Sequence, residues 1–240
     1  SEEIYHRNIS IIKDYIASGD TYQVNYTFDL KSEYRGDPFD FFHHLVIHHP
    51  SPYAAFVDTG SYSFCSFSPE LFFSLNDNRI TCKPMKGTAP RGVVSAEDDL
   101  MSSQLFNCNK NRAENIMIVD MIRNDLGRIS KTGSVKVTNL FEIEKYETVF
   151  QMTSTVESQT DWAIPQVFKA LFPCASITGA PKIRTSQIIH ELEKRPRGIY
   201  CGSIGYATPE KRAVFNVAIR TATVDYSNSS ITYNVGSGIV

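Results

Sequence analysis

No run of apolar residues in these 240 positions approaches the ~18 needed to cross a bilayer as a helix, so no helical membrane span is encoded. Cysteine is sparse and odd in number. Cys65, Cys82, Cys108, Cys174 and Cys201 are scattered and never spaced as C-x-x-C, which excludes a disulfide framework and a zinc ribbon. Buried or incidental thiols of a reducing compartment are expected instead. An excess of one charge is also missing. Lys and Arg number 24 against 26 Asp and Glu, a net charge of -2, too even for a nucleic-acid grip built on dense cations. No heptad run, low-complexity stretch, internal repeat or cleavable signal is visible, and a soluble cytoplasmic protein is the expectation. What is present is apolar mass: 42% hydrophobic and 12% aromatic residues. A chain of this length can remove roughly 70–75% of its extended surface from water, so a packed core is expected.

Periodicity sets out the elements. Ile9, Ile12 and Ile16 at helical spacing, with Gly19 as a stop, predict a helix over 4–16. From Tyr22 the period becomes two. Val24, Tyr26, Phe28 and Leu30 face one way and Gln23, Asn25 and Thr27 the other, a half-buried strand whose second face is polar and uncharged. Such a face is either solvated or lines a ligand cleft. Pro38 opens a short helix ending near Ile47, with an i, i+4 histidine pair that either holds a metal or simply makes a polar face. Strands are expected at 53–58, 62–67, 70–75 and 79–82, and one long helix over 98–126. Further strands follow at 134–139 and 146–156, then helices at 163–171 and 183–194. Strands at 199–207, 212–224 and 230–235 complete the expectation of one mixed α+β domain rich in antiparallel sheet.

Four segments mix glycine, proline and charge beyond what a core requires. Ser68-Pro69-Glu70 places a carboxylate between apolar strands, either at a surface or as a partly dry general acid. Lys83 to Gly92 is rich in proline and glycine and predicts a fixed loop rather than a ladder strand. Its Lys86 is an exposed cation, an anion ligand or a desolvated nucleophile. On the helix that follows, Glu114, Ile118, Met121 and Asp125 share a face, suiting either Mg²⁺ or an ion pair with Arg112 or Arg123. Ser176 to Lys182 is a small-residue loop feeding a helix N-terminus, a place for a substrate carboxylate or a plain cap. Tyr200, Arg220 on a later strand and the loop Gly236-Ser237-Gly238 offer further carboxylate contacts.

Taken in order, these blocks resemble the chorismate-utilising enzymes along the whole chain. They run from Gly19-Asp20-Thr21-Tyr22-Gln23-Val24-Asn25 through Ser-Pro-Glu, Pro-Met-Lys-Gly-Thr-Ala-Pro-Arg-Gly and Ala-Glu-Asn-Ile-Met-Ile-Val-Asp. Met152-Thr153-Ser154-Thr155-Val156, Thr178-Gly179-Ala180-Pro181-Lys182, Ile204-Gly205-Tyr206, Ala218-Ile219-Arg220-Thr221 and the terminal Gly-Ser-Gly-Ile follow. The resemblance implies two packed, mainly antiparallel sheets flanked by helices. Lysine at 86 and glutamine rather than lysine at 23 are similar to the branch that forms aminodeoxychorismate. An anthranilate-forming lyase and an inert chorismate-binding domain are the alternatives. By resemblance, Lys86 is the nucleophile and Glu70 the acid. Glu114 is the Mg²⁺ ligand, and Gln23, Thr88, Thr178, Gly179, Tyr200, Arg220, Gly236 and Gly238 bind chorismate. Ammonia is expected from a glutamine amidotransferase partner. Gln151 stands where many relatives have histidine. A C-terminal segment with a second metal ligand and an N-terminal region of longer relatives are expected to be missing.

Overall fold

The computed structural model describes residues 2–240. In chain order it begins with α1 (Glu2–Ala17), β1 (Gln23–Glu33), α2 (Pro38–His48), β2 (Tyr53–Asp58), β3 (Tyr62–Ser68), β4 (Leu71–Asn76), β5 (Arg79–Lys83) and β6 (Met85–Pro90). Next come α3 (Ser95–Asn107), α4 (Asn109–Gly127), β7 (Lys136–Lys145), β8 (Val149–Gln159) and α5 (Ile164–Leu171). A short 3₁₀ turn (Ala175–Ile177) leads to β9 (Gly179–Ala180) and α6 (Lys182–Glu193). The chain closes with β10 (Gly205–Ala207), β11 (Arg212–Asn216), β12 (Thr221–Asp225) and β13 (Ser230–Ile239). Two mainly antiparallel sheets with six α-helices among the described residues make this an α+β protein.

The chain divides into two compact units. The first comprises residues through Pro69, Pro173–Ile204 and Asn216–Val240. Its six-stranded sheet runs β2-β3-β12-β13-β1-β9. β1 and β13 pair from Glu33↔Ser230 to Val24↔Ile239, so Gly236-Ser237-Gly238 lies in a ladder strand rather than the expected loop. On the other edge β13 meets β12 only over Ser230–Tyr233. The apolar side of β1 packs Val24 and Tyr26 against Ile12 of α1 and Ile188 of α6, all buried. Each such side chain contributes roughly 1.5–3 kcal/mol by leaving water.

The second unit, Glu70–Phe172 with Gly205–Phe215, holds a seven-stranded sheet ordered β10-β11-β4-β5-β8-β6, with β7 also paired to β8. Leu105, Phe141, Phe150 and Met152 form one core cluster. Phe73, Phe168 and Phe215 form another, with ring centroids 5.2–6.1 Å apart.

Several sequence expectations are corrected. Residues 85–90 form a strand because β6 takes an edge position on β8, where proline costs no ladder bond, and a bulge between Met85 and Thr88 absorbs the irregularity. The long helix breaks at extended Cys108, between Asn107 and Asn109, residues whose amides compete with the helical backbone. Strand 212–224 is interrupted at 217–220, where Arg220 turns left-handed at φ 49°. Only 205–207 of the expected strand 199–207 is extended.

Candidate active site

In the first unit, the polar side of β1 is buried, so it is not the solvated face that periodicity allowed. Gln23 is fully buried, Asn25 7% exposed and Thr27 1%. Neither Oε1 nor Nε2 of Gln23 has a hydrogen-bond partner among the described residues. A buried amide with both ends unspent costs about 1–3 kcal/mol, a cost that a polar ligand would remove. β9 is held beside it: Ala180 pairs with Gln23 and Gly179 with Val24. Gly179 has φ 137°, and a Cβ there would sit 2.0 Å from the Gln23 carbonyl oxygen. Only glycine allows this approach. The small-residue segment therefore enters α6 through a two-residue strand, not as a free loop. Thr178 is buried, its carbonyl accepting from Asn25 N–H at 2.9 Å and its hydroxyl donating to Cys174 O at 2.8 Å.

Tyr200 is buried, and that burial pushes its phenol above the ordinary range. Its Oη would lie 3.2 Å from a Cβ at Gly236, which would also meet Thr27 Cγ2 at 2.8 Å. Glycine thus keeps a small cradle open between Thr27 and Tyr200. Gly238 sits opposite Asn25 in the ladder. Arg220 differs from its expected place. It occupies the bend before β12 rather than a strand, is exposed, and accepts Phe67 N–H at its carbonyl, 3.0 Å.

The second unit carries the other predicted group. Glu70 is 3% exposed and immediately precedes Leu71, which pairs with Lys83 across β4 and β5. Three residues on, half-buried Lys86 stands in the bulge of β6 beside Gly87, which has φ 99°. Gly87 is packed on α4, where a Cβ would meet Asn111 Cβ at 3.0 Å, one helical turn from Glu114. Glu114 lies 3.9 Å from Lys110, a partner the sequence did not suggest. The expected partners are engaged elsewhere: Arg112 stacks on Phe141 at 4.6 Å and Arg123 pairs with Asp120 at 2.8 Å. Lys83 is ion-paired with Glu144. Thr88, exposed, donates to Oε1 of buried Gln151 at 3.0 Å, a pairing visible only once the register is known.

Among the described residues, no three His, Cys, Asp or Glu side chains gather to hold a metal. The His44 and His48 rings approach to 4.7 Å without a third ligand. Glu114 alone offers one carboxylate. Mg²⁺ commonly takes one or two carboxylates and fills its remaining positions with water and substrate oxygens, so Glu114 could supply one of its ligands.

Residues 1–240 match the family model described as "chorismate binding enzyme". Over 242 residues, the whole chain, it is 38% identical to "Anthranilate synthase component 1" of Aquifex aeolicus. It is 40% identical over 223 residues, 92% of the chain, to "Aminodeoxychorismate synthase component 1" of Bacillus subtilis. The chain covers 49% and 47% of these relatives. All of it also superposes on the crystal structure of anthranilate synthase component I from Streptococcus pneumoniae, with TM-score 0.91 at 33% identity over 53% of that chain. The chain thus spans about half the length of these relatives.

Proposed function

The chain belongs to the chorismate binding enzyme family, and on that premise we propose that it converts chorismate and ammonia to 4-amino-4-deoxychorismate, as component I of an aminodeoxychorismate synthase. The observation that carries this reading is Lys86, held in a glycine-flanked bulge three residues beyond the strand pair that Glu70 abuts. Overall similarity does not separate the products, since relatives of both names lie at 38–40% identity. A lysine at this place resembles the aminodeoxychorismate branch.

In this reading the Lys86 amine attacks C2 of the ring. The double bonds shift, the C4–O bond breaks, and Glu70 gives its proton to the departing hydroxide, forming water. Ammonia then adds at C4, the double bonds return, and the C2–N bond breaks to release Lys86. The proton shed by the new amine restores Glu70. The sum is chorismate plus ammonia giving aminodeoxychorismate plus water. Mg²⁺ held in part by Glu114 would offset the charge of the ring carboxylate. Gln23, Thr178, Gly179 and the cradle at Gly236 would meet the substrate's polar groups. Ammonia would come from a glutamine amidotransferase partner. Five cysteines, four of them buried and none in a disulfide, suit a cytoplasmic enzyme.

The test is product analysis with chorismate, Mg²⁺ and ammonium. Aminodeoxychorismate without pyruvate release supports the reading. Fluorescent anthranilate would favour the lyase, and calorimetric chorismate binding with no product would favour the inert binding domain.

A further inference from the structure

Behind the polar strand of the first unit lies an ion pair that the proposed chemistry does not use. Glu193, at the end of α6, has a side chain 1% exposed; Arg197, four residues on and beyond the left-handed Lys194 that ends the helix, is 15% exposed. The guanidinium Nε donates to Glu193 Oε2 at 2.9 Å and Nη2 to Oε1 at 2.6 Å. Burial lowers the Arg197 pKa, but the hydrogen bond and charge of Glu193, together with Cys201, outweigh it and hold the group above its ordinary value. The pair's remaining bonds reach outward. Arg197 donates to Ile177 O at 2.9 Å and to Asn25 O at 2.7 Å. Glu193 Oε1 accepts both N–H and Oγ1–H of Thr27, at 2.9 and 3.0 Å. Asn25 N–H in turn donates to Thr178 O at 2.9 Å. One buried fork thus spans β1 and the turn before β9, the two segments that carry Gln23, Thr178 and Gly179. The carbonyl of Arg197 also accepts Tyr200 N–H at 3.2 Å.

We propose that Glu193 and Arg197 are positioning residues that fix the spacing between β1 and the 175–180 segment, and through it chorismate affinity. The proposal rests on the chorismate reading above. A purely stabilising ion pair could be exchanged for apolar side chains of similar volume without functional loss, because a buried pair often adds little net stability over such residues. A positioning pair could not, because leucine and methionine cannot bridge the Ile177 and Asn25 carbonyls.

The experiment compares the wild-type chain with Glu193→Gln and with the double variant Glu193→Leu/Arg197→Met. Melting temperature, chorismate affinity by calorimetry and amide exchange at Asn25 are read for each. The double variant is expected to melt below the wild type, since Ile177 O, Asn25 O and Thr27 N–H lose these partners, to lose roughly tenfold to a hundredfold in chorismate affinity while still folded, and to exchange Asn25 N–H faster. Glu193→Gln keeps the shape and one acceptor oxygen but puts an amide donor against Arg197 and removes its counter-charge, so it is expected to melt below the wild type while its affinity and Asn25 exchange fall between the other two. Wild-type affinity together with wild-type Asn25 exchange in the double variant would overturn the proposal. A wild-type chain that does not bind chorismate would contradict the functional reading instead, and Asn25 exchange alone would then decide the positioning claim.

Discussion

In the proposed reading, Gln23 serves a ligand at the expense of the fold. Its amide is fully buried with neither end partnered among the described residues. Gln23→Met, similar in volume and free of polar atoms, is therefore expected to raise stability by about 1–3 kcal/mol while weakening chorismate binding. Thermal melts and calorimetry would read the two effects, and a variant that melts lower would contradict the account. Gly179 makes the complementary point. Its φ of 137° and the 2.0 Å approach to Gln23 O mean that Gly179→Ala forces backbone apart, with an expected loss of about 3 kcal/mol or more. Gly133 has φ 76° but open space around it, so Gly133→Ala should cost only the left-handed penalty, about 1–2 kcal/mol. Melts of the two variants side by side check the difference. The alternation of β1 made the polar face legible, but its burial was not. A strand's second face reads the same in sequence whether water or protein covers it.

At the scale of elements, Asp98 ties α3 to β7 and to the connection that follows β6. From α3 its carboxylate accepts from Arg91 Nε and Nη2 at 2.6 and 2.8 Å, from Gly92 N–H at 2.9 Å, and from Lys145 of β7 at 2.8 Å. Arg91 above all, then Lys145, hold its carboxyl far below the usual carboxylate range. A carboxyl depressed in the folded chain stabilises fully above its unfolded pKa, about 3.9, and loses that contribution as pH falls below it. Asp98→Asn should therefore be less stable than the wild type at pH 7, with the gap closing below about pH 4. Denaturant titrations across pH check this, and a gap independent of pH would refute it. Asp98 drew no notice in the sequence because its partners lie 6 to 47 positions away. The Glu193–Arg197 pair did leave a signal, its i, i+4 spacing, but such pairs commonly lie on solvated helix faces and only burial separates them. Likewise Pro84, Gly87 and Pro90 read as a loop because the docking strand β8, some sixty residues further on, is what makes 85–90 a strand.

For the whole molecule, the α+β class and most strands were legible from short apolar runs bounded by turn residues, although β8 is buried almost throughout and does not alternate. The division into two units was not. The chain passes between them at 69–70, 172–173, 204–205 and 215–216, and neither the sequence nor its composition marks these crossings as linkers. The ordered motifs carried the family across both units, and Glu70, Lys86 and Glu114 fall together in the second. The central claim concerns Lys86, and covalent trapping tests it most directly. The chain is incubated with chorismate and Mg²⁺ without ammonia, then digested and analysed by mass spectrometry. The account predicts an adduct of chorismate less one water on the peptide containing Lys86, discharged by added ammonium and absent from Lys86→Ala. Undiminished aminodeoxychorismate from Lys86→Ala, with no adduct on the wild-type peptide, would contradict it.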